Sequence, residues 1–203
     1  MIAIFRSSLP KVRLTGPRVH IRPPKPGDQT QWLALRRESR DFLRPYEPSW
    51  PRDALTSTAY RRRTKRIQTE WAAETGYGFL IFRNDDSTLL GGVTLANIRR
   101  GVTQSSSVGY WMGLPYVRQG YMFEALQLCL DFGFRSLGLH RIEAACLSDN
   151  QPSRRLLEKS GFQEEGLARR YLCIAGEWQD HIIYALLEND ARPMIAKKPP
   201  EGL

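Results

Sequence analysis

The stretch Gly109-Tyr110-Trp111-Met112-Gly113-Leu114-Pro115-Tyr116-Val117-Arg118-Gln119-Gly120-Tyr121-Met122-Phe123-Glu124-Ala125 reads as a strand, a glycine-containing turn and the opening of a helix. The first N–H groups of a helix have no internal partner, and that end carries partial positive charge. Such an end can receive a phosphate or pyrophosphate. Gly120 would let the backbone approach the anion closely, and Arg118 would add formal charge. A plain strand-to-helix turn is equally consistent with this unit taken alone. The nucleotide P-loop is excluded because no Gly-Lys-Ser/Thr ends the turn, and the dinucleotide fingerprint because three spaced glycines are lacking.

Working outward, residues 121 to 137 form the clearest helix. Glu124, Gln127, Asp131 and Arg135 recur on one stripe, while Met122, Ala125, Leu126, Cys129 and Phe132 lie elsewhere, so most of the girth is buried. Upstream, Val19 and Ile21 alternate with polar neighbours as a first strand. Asp28 is placed to cap a helix carrying Trp32, Leu33, Leu35 and Arg36, and Asp53 a second reaching about Glu74. Pro45, Pro48 and Pro51 make the stretch between them irregular. Strands follow at 78–82, 89–98 and 107–112, the first two joined by the turn at Asn84-Asp85-Asp86. Downstream come a strand at 140–147, a short helix from Gln151 to Ser160 closed by Gly161 with Phe162 folding back on Leu157, and strands at 167–174 and 178–187 around Ala175-Gly176. The order β-α-α-β-β-β-α-β-α-β-β predicts an α/β fold with a mixed sheet of about seven strands and helices on its faces. Residues 1–15 read as an N-terminal extension, 16–190 as a single domain, and 191–203 as a flexible tail.

Composition narrows the function classes. Thirty Lys+Arg against 21 Asp+Glu give a net charge of +9, nearly all from arginine, which favours anionic partners. The run Arg61, Arg62, Arg63, Lys65 and Arg66 reads as a solvated helix face, and no RNA-binding or zinc-finger pattern accompanies it. Three cysteines exclude a disulfide scaffold, and no apolar run approaches the roughly 18 residues of a membrane span. The opening MIAIFRSSLP lacks the form of a secretory signal, so a cytoplasmic protein is expected. Cys129, Cys146 and Cys173 each read as buried small hydrophobes. His20, His140 and His181 show no ligand pattern, and no metal is expected.

A second informative stretch is Asn150-Gln151-Pro152-Ser153-Arg154-Arg155-Leu156-Leu157-Glu158-Lys159-Ser160-Gly161-Phe162. Alone, it reads as a helix capped by Asn150. Together the two stretches resemble the GCN5-related N-acetyltransferase (GNAT) family. Gly120 matches the family's pyrophosphate loop, while Val117 and Met122 depart from it. Asn150, Ser153, Leu156, Gly161 and Phe162 match its later motif, with Leu157 where many members carry a tyrosine. A closer resemblance, to the RimJ/RimL branch of ribosomal-protein alanine acetyltransferases, extends over residues 40–48, 120–125, 140–144 and 171–186.

The resemblance implies a mostly antiparallel, twisted sheet with a splayed central strand pair, acetyl-CoA as co-substrate, and direct attack of an amine on the thioester in a ternary complex. It implies that Trp111, Met112 and Gly113 offer backbone groups to pantetheine, that Arg118, Gln119, Gly120, Tyr121 and Met122 hold the pyrophosphate, and that Asn150, Ser153 and Arg154 also contact the cofactor. Ser153 would replace the absent tyrosine, as proton donor to the thiolate or as a hydrogen-bond partner of sulfur; Asn150 would bind pantetheine or order a water. The glutamate that some relatives use as base aligns with Leu172, so Glu47 and Glu143 are the remaining carboxylate candidates. Tyr46, Glu47, Trp50 and Trp178 are candidates for the acceptor pocket. An α-amine, with a pKa of about 7.7–8.0 against about 10.4 for lysine, needs less help from a base. The expected acceptor is therefore a protein N-terminus, and the resemblance implies one of the ribosomal-protein alanine type. The alternatives are a small amine (an amino acid, a polyamine or an antibiotic) or a silent acyl-CoA-binding or ribosome-associated module. Direct sequence-specific nucleic-acid binding and membrane partners are not expected, and monomer or homodimer stays open.

Overall fold

In the computed structural model, which describes residues 11–193, the chain runs β1 (Leu14–Thr15), β2 (Val19–Arg22), α1 (Gln29–Glu38), α2 (Arg40–Leu43), α3 (Ser57–Ala72), β3 (Tyr77–Arg83), β4 (Leu89–Arg99), β5 (Ser105–Met112), α4 (Tyr121–Asp131), β6 (Arg141–Leu147), α5 (Gln151–Lys159), β7 (Gln163–Ile174) and β8 (Glu177–Leu187). The strands make one sheet in the order β1-β2-β3-β4-β5-β6-β8-β7. Every neighbouring pair is antiparallel except β5 and β6. The expected mixed, mostly antiparallel sheet with helices on its faces is thus present, with eight strands. The additional one is β1, whose two residues lie inside the expected N-terminal extension and pair with Ile21 and His20 of β2. The rest of that extension, residues 1–10, lies outside the described residues, as does the tail from 194. Arg192, expected in the tail, is docked: it donates to Asp131 at 2.7 Å and lies over the Phe134 ring.

Strand alternation sorts the core into two faces. On one, Val19, Ile21, Val93, Val108, Ala144, Cys146 and Tyr184 meet Met122, Ala125 and Leu126 of α4 and Leu157 of α5. On the other, Leu80, Phe82, Leu89 and the part-buried Trp111 meet Trp32, Leu33 and Leu35 of α1 and Tyr60 of α3.

Several helix starts differ from expectation, and hydrogen bonding gives the reason. Asp28 does not cap α1 with its side chain. Its carboxylate accepts from the Lys25 N–H at 2.7 Å and from both Arg22 guanidinium nitrogens, closing the short 3₁₀ turn before α1. Asp53 pairs with Arg62, and Thr56 caps α3 by accepting from the Ala59 N–H. The proline-rich stretch begins with α2 and a 3₁₀ turn, Arg44–Tyr46, before turning irregular. The helix expected to end at Leu137 keeps α geometry only to Asp131 and continues as wider π-type turns to Ser136. Of the basic run on α3, Arg63 turns inward, while Arg61, Arg62, Lys65 and Arg66 are exposed. Cys129 and Cys146 are buried as expected; Cys173 is exposed, because β7 is an edge strand.

The polar stripe of α4 is not a solvent face at its start. Glu124 is 4% exposed, and its Oε1 accepts from the backbone N–H groups of Arg18 and Val19 at 2.6 and 3.1 Å, while Oε2 accepts from Arg18 Nε. These bonds tie the first turn of α4 to β2. Glu124→Gln would point an amide donor at a site that supplies only donors, a cost of about 1–3 kcal/mol. Thermal denaturation should show a midpoint lowered by roughly 2–10 °C. An unchanged midpoint would mean that this anchor contributes nothing.

Candidate active site

The site begins where β5 and β6 part. Parallel pairing is confined to Ser105↔Arg141, Ser106↔Ile142 and Ser107↔Glu143. Beyond it, β5 stays paired with β4 through Met112, and β6 with β8 through Leu147. The facing edges, Val108–Met112 and Ala144–Leu147, therefore present unpaired backbone groups to each other across a cleft. Such groups require partners when buried. The cavity has a volume of about 790 Å³, and its walls come from both strand edges, the loop before α4, α5, and the segment around Phe42 to Glu47.

One end is the turn leading into α4. Gly120 caps that helix at φ +81°, and Arg118 also has positive φ, at +60°. Two left-handed residues in three turn successive N–H groups toward one side, a concavity suited to an anion. The first intrahelical bond of α4 is from Glu124 N–H to the Gly120 carbonyl, which leaves the Tyr121, Met122 and Phe123 N–H groups without a helical acceptor. Arg18 braces the loop from outside: it donates to the Gln119 carbonyl at 3.1 Å and lies over the Tyr121 ring.

The middle of the cleft holds Asn150 and Ser153. Asn150 Oδ1 caps α5 by accepting from the Ser153 N–H at 3.2 Å. Ser153 Oγ is 2.8 Å from the hydroxyl of Tyr110 on β5. Burial pushes the Tyr110 phenol well above its ordinary range, and its bond to Ser153 opposes that only in part. The phenol therefore stays protonated at neutral pH. Leu157 is 1% exposed and packs in the core, as a residue without a hydroxyl should. Tyr110 thus places a phenol beside Ser153 from β5, across the cleft from α5. Cys146 also lines the cleft, but burial raises its thiol, so it stays protonated.

The other end is built by α1 and the proline-rich segment. Glu47 is held by Arg36 through two bonds of 2.7 and 2.6 Å and by Trp50 Nε1 at 2.7 Å. Arg36 in turn lies over the Trp50 and Trp111 rings at 4.2 and 4.9 Å. The carboxylate is therefore fixed and neutralised at the cleft wall, beside Phe42 and Tyr46. The Glu47 carbonyl also accepts from the Ala175 N–H, which joins this segment to the β7–β8 turn.

Of the residues singled out from sequence, Tyr46, Glu47, Trp111, Met112, Arg118, Gly120, Tyr121, Met122, Asn150 and Ser153 all line this one cavity. The others are placed elsewhere. Gly113 is outside the lining: its N–H donates to Leu90 and its carbonyl accepts from Tyr116, so both backbone groups are already used. Gln119 turns its side chain back to the Pro115 carbonyl. Arg154 points away, toward Tyr184, the Ser148 carbonyl and Glu164; one residue on, about 100° around the helix, Arg155 lines the cleft together with Lys159. Glu143 is bound by Arg141 at 2.8 Å outside the lining, and Arg141 also grips Glu165. Trp50 acts on the cavity through Glu47, and Trp178 is 64% exposed at the start of β8. Tyr110, Arg155, Lys159 and His181, which line the cleft, and Arg36, which holds Glu47 at its wall, are not legible as site residues in the sequence, because only the fold brings them together.

A family model for the acetyltransferase (GNAT) domain matches residues 18–163. The chain belongs to the GNAT acetyltransferase family. It is 37% identical over 177 residues to the probable N-acetyltransferase YjcK of Bacillus subtilis, covering 87% of this chain and 98% of that protein. It is 32% identical over 189 residues to the [ribosomal protein uS5]-alanine N-acetyltransferase of Escherichia coli, covering 93% and 97%. Among solved structures, Mycobacterium smegmatis RimJ in complex with CoA-disulfide superposes with a TM-score of 0.79 at 32% identity, covering 83% of this chain and 81% of that one. This GNAT enzyme is an acetyltransferase, and its co-substrate is acetyl-CoA. The parted strands and the concave, cationic loop before α4 fit that molecule, which carries amide-rich pantetheine and a pyrophosphate. Among the described residues no cluster of His, Cys, Asp and Glu could hold a metal ion, and no helix is long and apolar enough to cross a membrane.

Proposed function

We propose that this enzyme acetylates the N-terminal α-amine of a protein, of the ribosomal-protein alanine type. The observation that carries this reading is the relationship, along nearly the whole of both chains, to the E. coli uS5-alanine enzyme. The acceptor end supports it. Its carboxylate, Glu47, is held by Arg36 and Trp50 beside Tyr46 and Phe42, and of its roughly four acceptor sites one is left to take a single N–H of an amine flanked by a short apolar side chain.

Acetyl-CoA, when bound, supplies an acetyl group activated as a thioester. The free edges of Trp111 and Met112 would pair with pantetheine, with Asn150 and Ser153 alongside. Arg118, Gly120, Tyr121 and Met122 would take the pyrophosphate on backbone N–H groups. Gln119 would contribute at most its backbone, and Arg155 and Lys159 replace Arg154 as the cations of α5 on the cleft side. Ser153, hydrogen-bonded to a phenol that stays protonated, would hand a proton to the departing sulfur, with Tyr110 behind it as the source. Glu47 would orient the incoming ammonium rather than remove its proton, because three donors already occupy its two oxygens.

The test is CoA release from acetyl-CoA with peptides that begin with Ala, Ser or Thr, each paired with an α-blocked copy containing lysine. Turnover is expected on the free peptides alone. Turnover only on small amines, or none with acetyl-CoA bound, would reject the reading.

A further inference from the structure

The cleft has two walls of different chemistry. By strand alternation Tyr110 and Cys146 point to the face covered by α4 and α5, where Ser153 meets Tyr110. Trp111 points to the opposite face, toward α1. On β8, His181 pairs with Leu147 of β6, and cross-strand partners share a face. Leu147 is one residue beyond Cys146, so Leu147 and His181 lie on the Trp111 face, the side on which Glu47 and Tyr46 stand. His181 lines the cleft and is 2% exposed. Its Nδ1 is 2.9 Å from the Gln179 carbonyl oxygen. A carbonyl only accepts, so Nδ1 carries the proton. The neutral ring then has its lone pair on Nε2, which makes no hydrogen bond among the described residues. The Tyr171 ring meets the imidazole edge-on at 6.0 Å and limits its rotation.

We propose that His181 is the general base of the acetyl transfer, acting through Nε2 on the acceptor amine directly or through one water. This rests on the acetyltransferase reading of the cleft. Two protons leave the ammonium nitrogen overall. His181 takes one to expose the nitrogen lone pair. The C–N bond then forms as the C–S bond breaks, with the C–S electron pair leaving on sulfur. The second proton leaves the nitrogen to solvent, and the sulfur receives one from the Ser153–Tyr110 pair, which is replenished from solvent. Base and acid thus approach the reacting carbon from opposite faces of the sheet. Neither carboxylate candidate fits this role: Glu47 is neutralised by Arg36, and Glu143 lies outside the lining, bound by Arg141.

The test uses the full chain. In the free protein, long-range ¹⁵N–¹H spectra should show His181 protonated at Nδ1, with the Nε2 resonance moving when an Ala-initiated peptide is added. His181→Ala should lower kcat by about 100-fold or more, the usual range for a lost general base, with acetyl-CoA Kd within about threefold, and added imidazole should restore part of the rate. A wild-type enzyme that turns over while His181→Ala keeps its kcat within about threefold would overturn the base assignment and leave the acetyl-transfer reading standing. So would a loss that imidazole does not restore, or one accompanied by lost acetyl-CoA binding, since either marks a structural role. His181→Gln, which keeps a polar side chain but no basic nitrogen, should be as slow as His181→Ala; near-normal kcat in that variant would equally overturn the proposal.

Discussion

Gly120→Val is expected to weaken acetyl-CoA binding by at least about 100-fold, or about 2.7 kcal/mol, while leaving the protein folded. Gly120 holds φ +81° at the cap of α4, a conformation that costs an L-residue about 1–2 kcal/mol and a β-branched one more. A Cβ there would also stand 3.2 Å from Arg18 Nη2, the arginine that braces the loop. The loop escapes both penalties by leaving the conformation that turns its N–H groups to the anion. Calorimetric titration of acetyl-CoA measures the loss. Gly101→Val is the control: Gly101 also has positive φ, at +69°, but a Cβ there meets nothing within 4 Å, and it is outside the cleft lining. Affinity retained in Gly120→Val would undo the assignment of the loop.

The second large effect concerns the Ser153–Tyr110 pair. Ser153→Ala and Tyr110→Phe should each lower kcat by about 100-fold, with acetyl-CoA affinity within about threefold. If the two hydroxyls act as one relay, the double variant should be no slower than the slower single. Multiplied losses would mean separate roles, and an unchanged kcat in Ser153→Ala would remove Ser153 from the chemistry. Burial makes Tyr110 a poor source of phenolate, so its part is to donate.

The fold was legible because its signals are local. A strand, an arginine–glycine turn and a long apolar helix at 109–137 give the loop, and Asn150 with Gly161 brackets α5. The departures are where another hydrogen bond outweighs the expected one, as at Asp28, drawn back to Arg22 and the Lys25 N–H, and Arg154, drawn across to Tyr184 and Glu164. The Ser153–Tyr110 pair was half legible. Ser153 stands in a motif, but Tyr110 reaches it only because β5 and α5 flank the same cleft. The tyrosine absent at Leu157 is thus answered from 43 residues upstream of Ser153. His181 carries no motif at all, and its place follows from the Leu147↔His181 register.

The measurement that tests the central claim most directly is mapping the acetyl group on a peptide that offers both nucleophiles. A peptide beginning with Ala and carrying an internal lysine, incubated with enzyme and acetyl-CoA, should be acetylated at the α-amine alone, as read by tandem mass spectrometry. Acetyl on the lysine, or an unmodified peptide under conditions in which acetyl-CoA is bound, would contradict it.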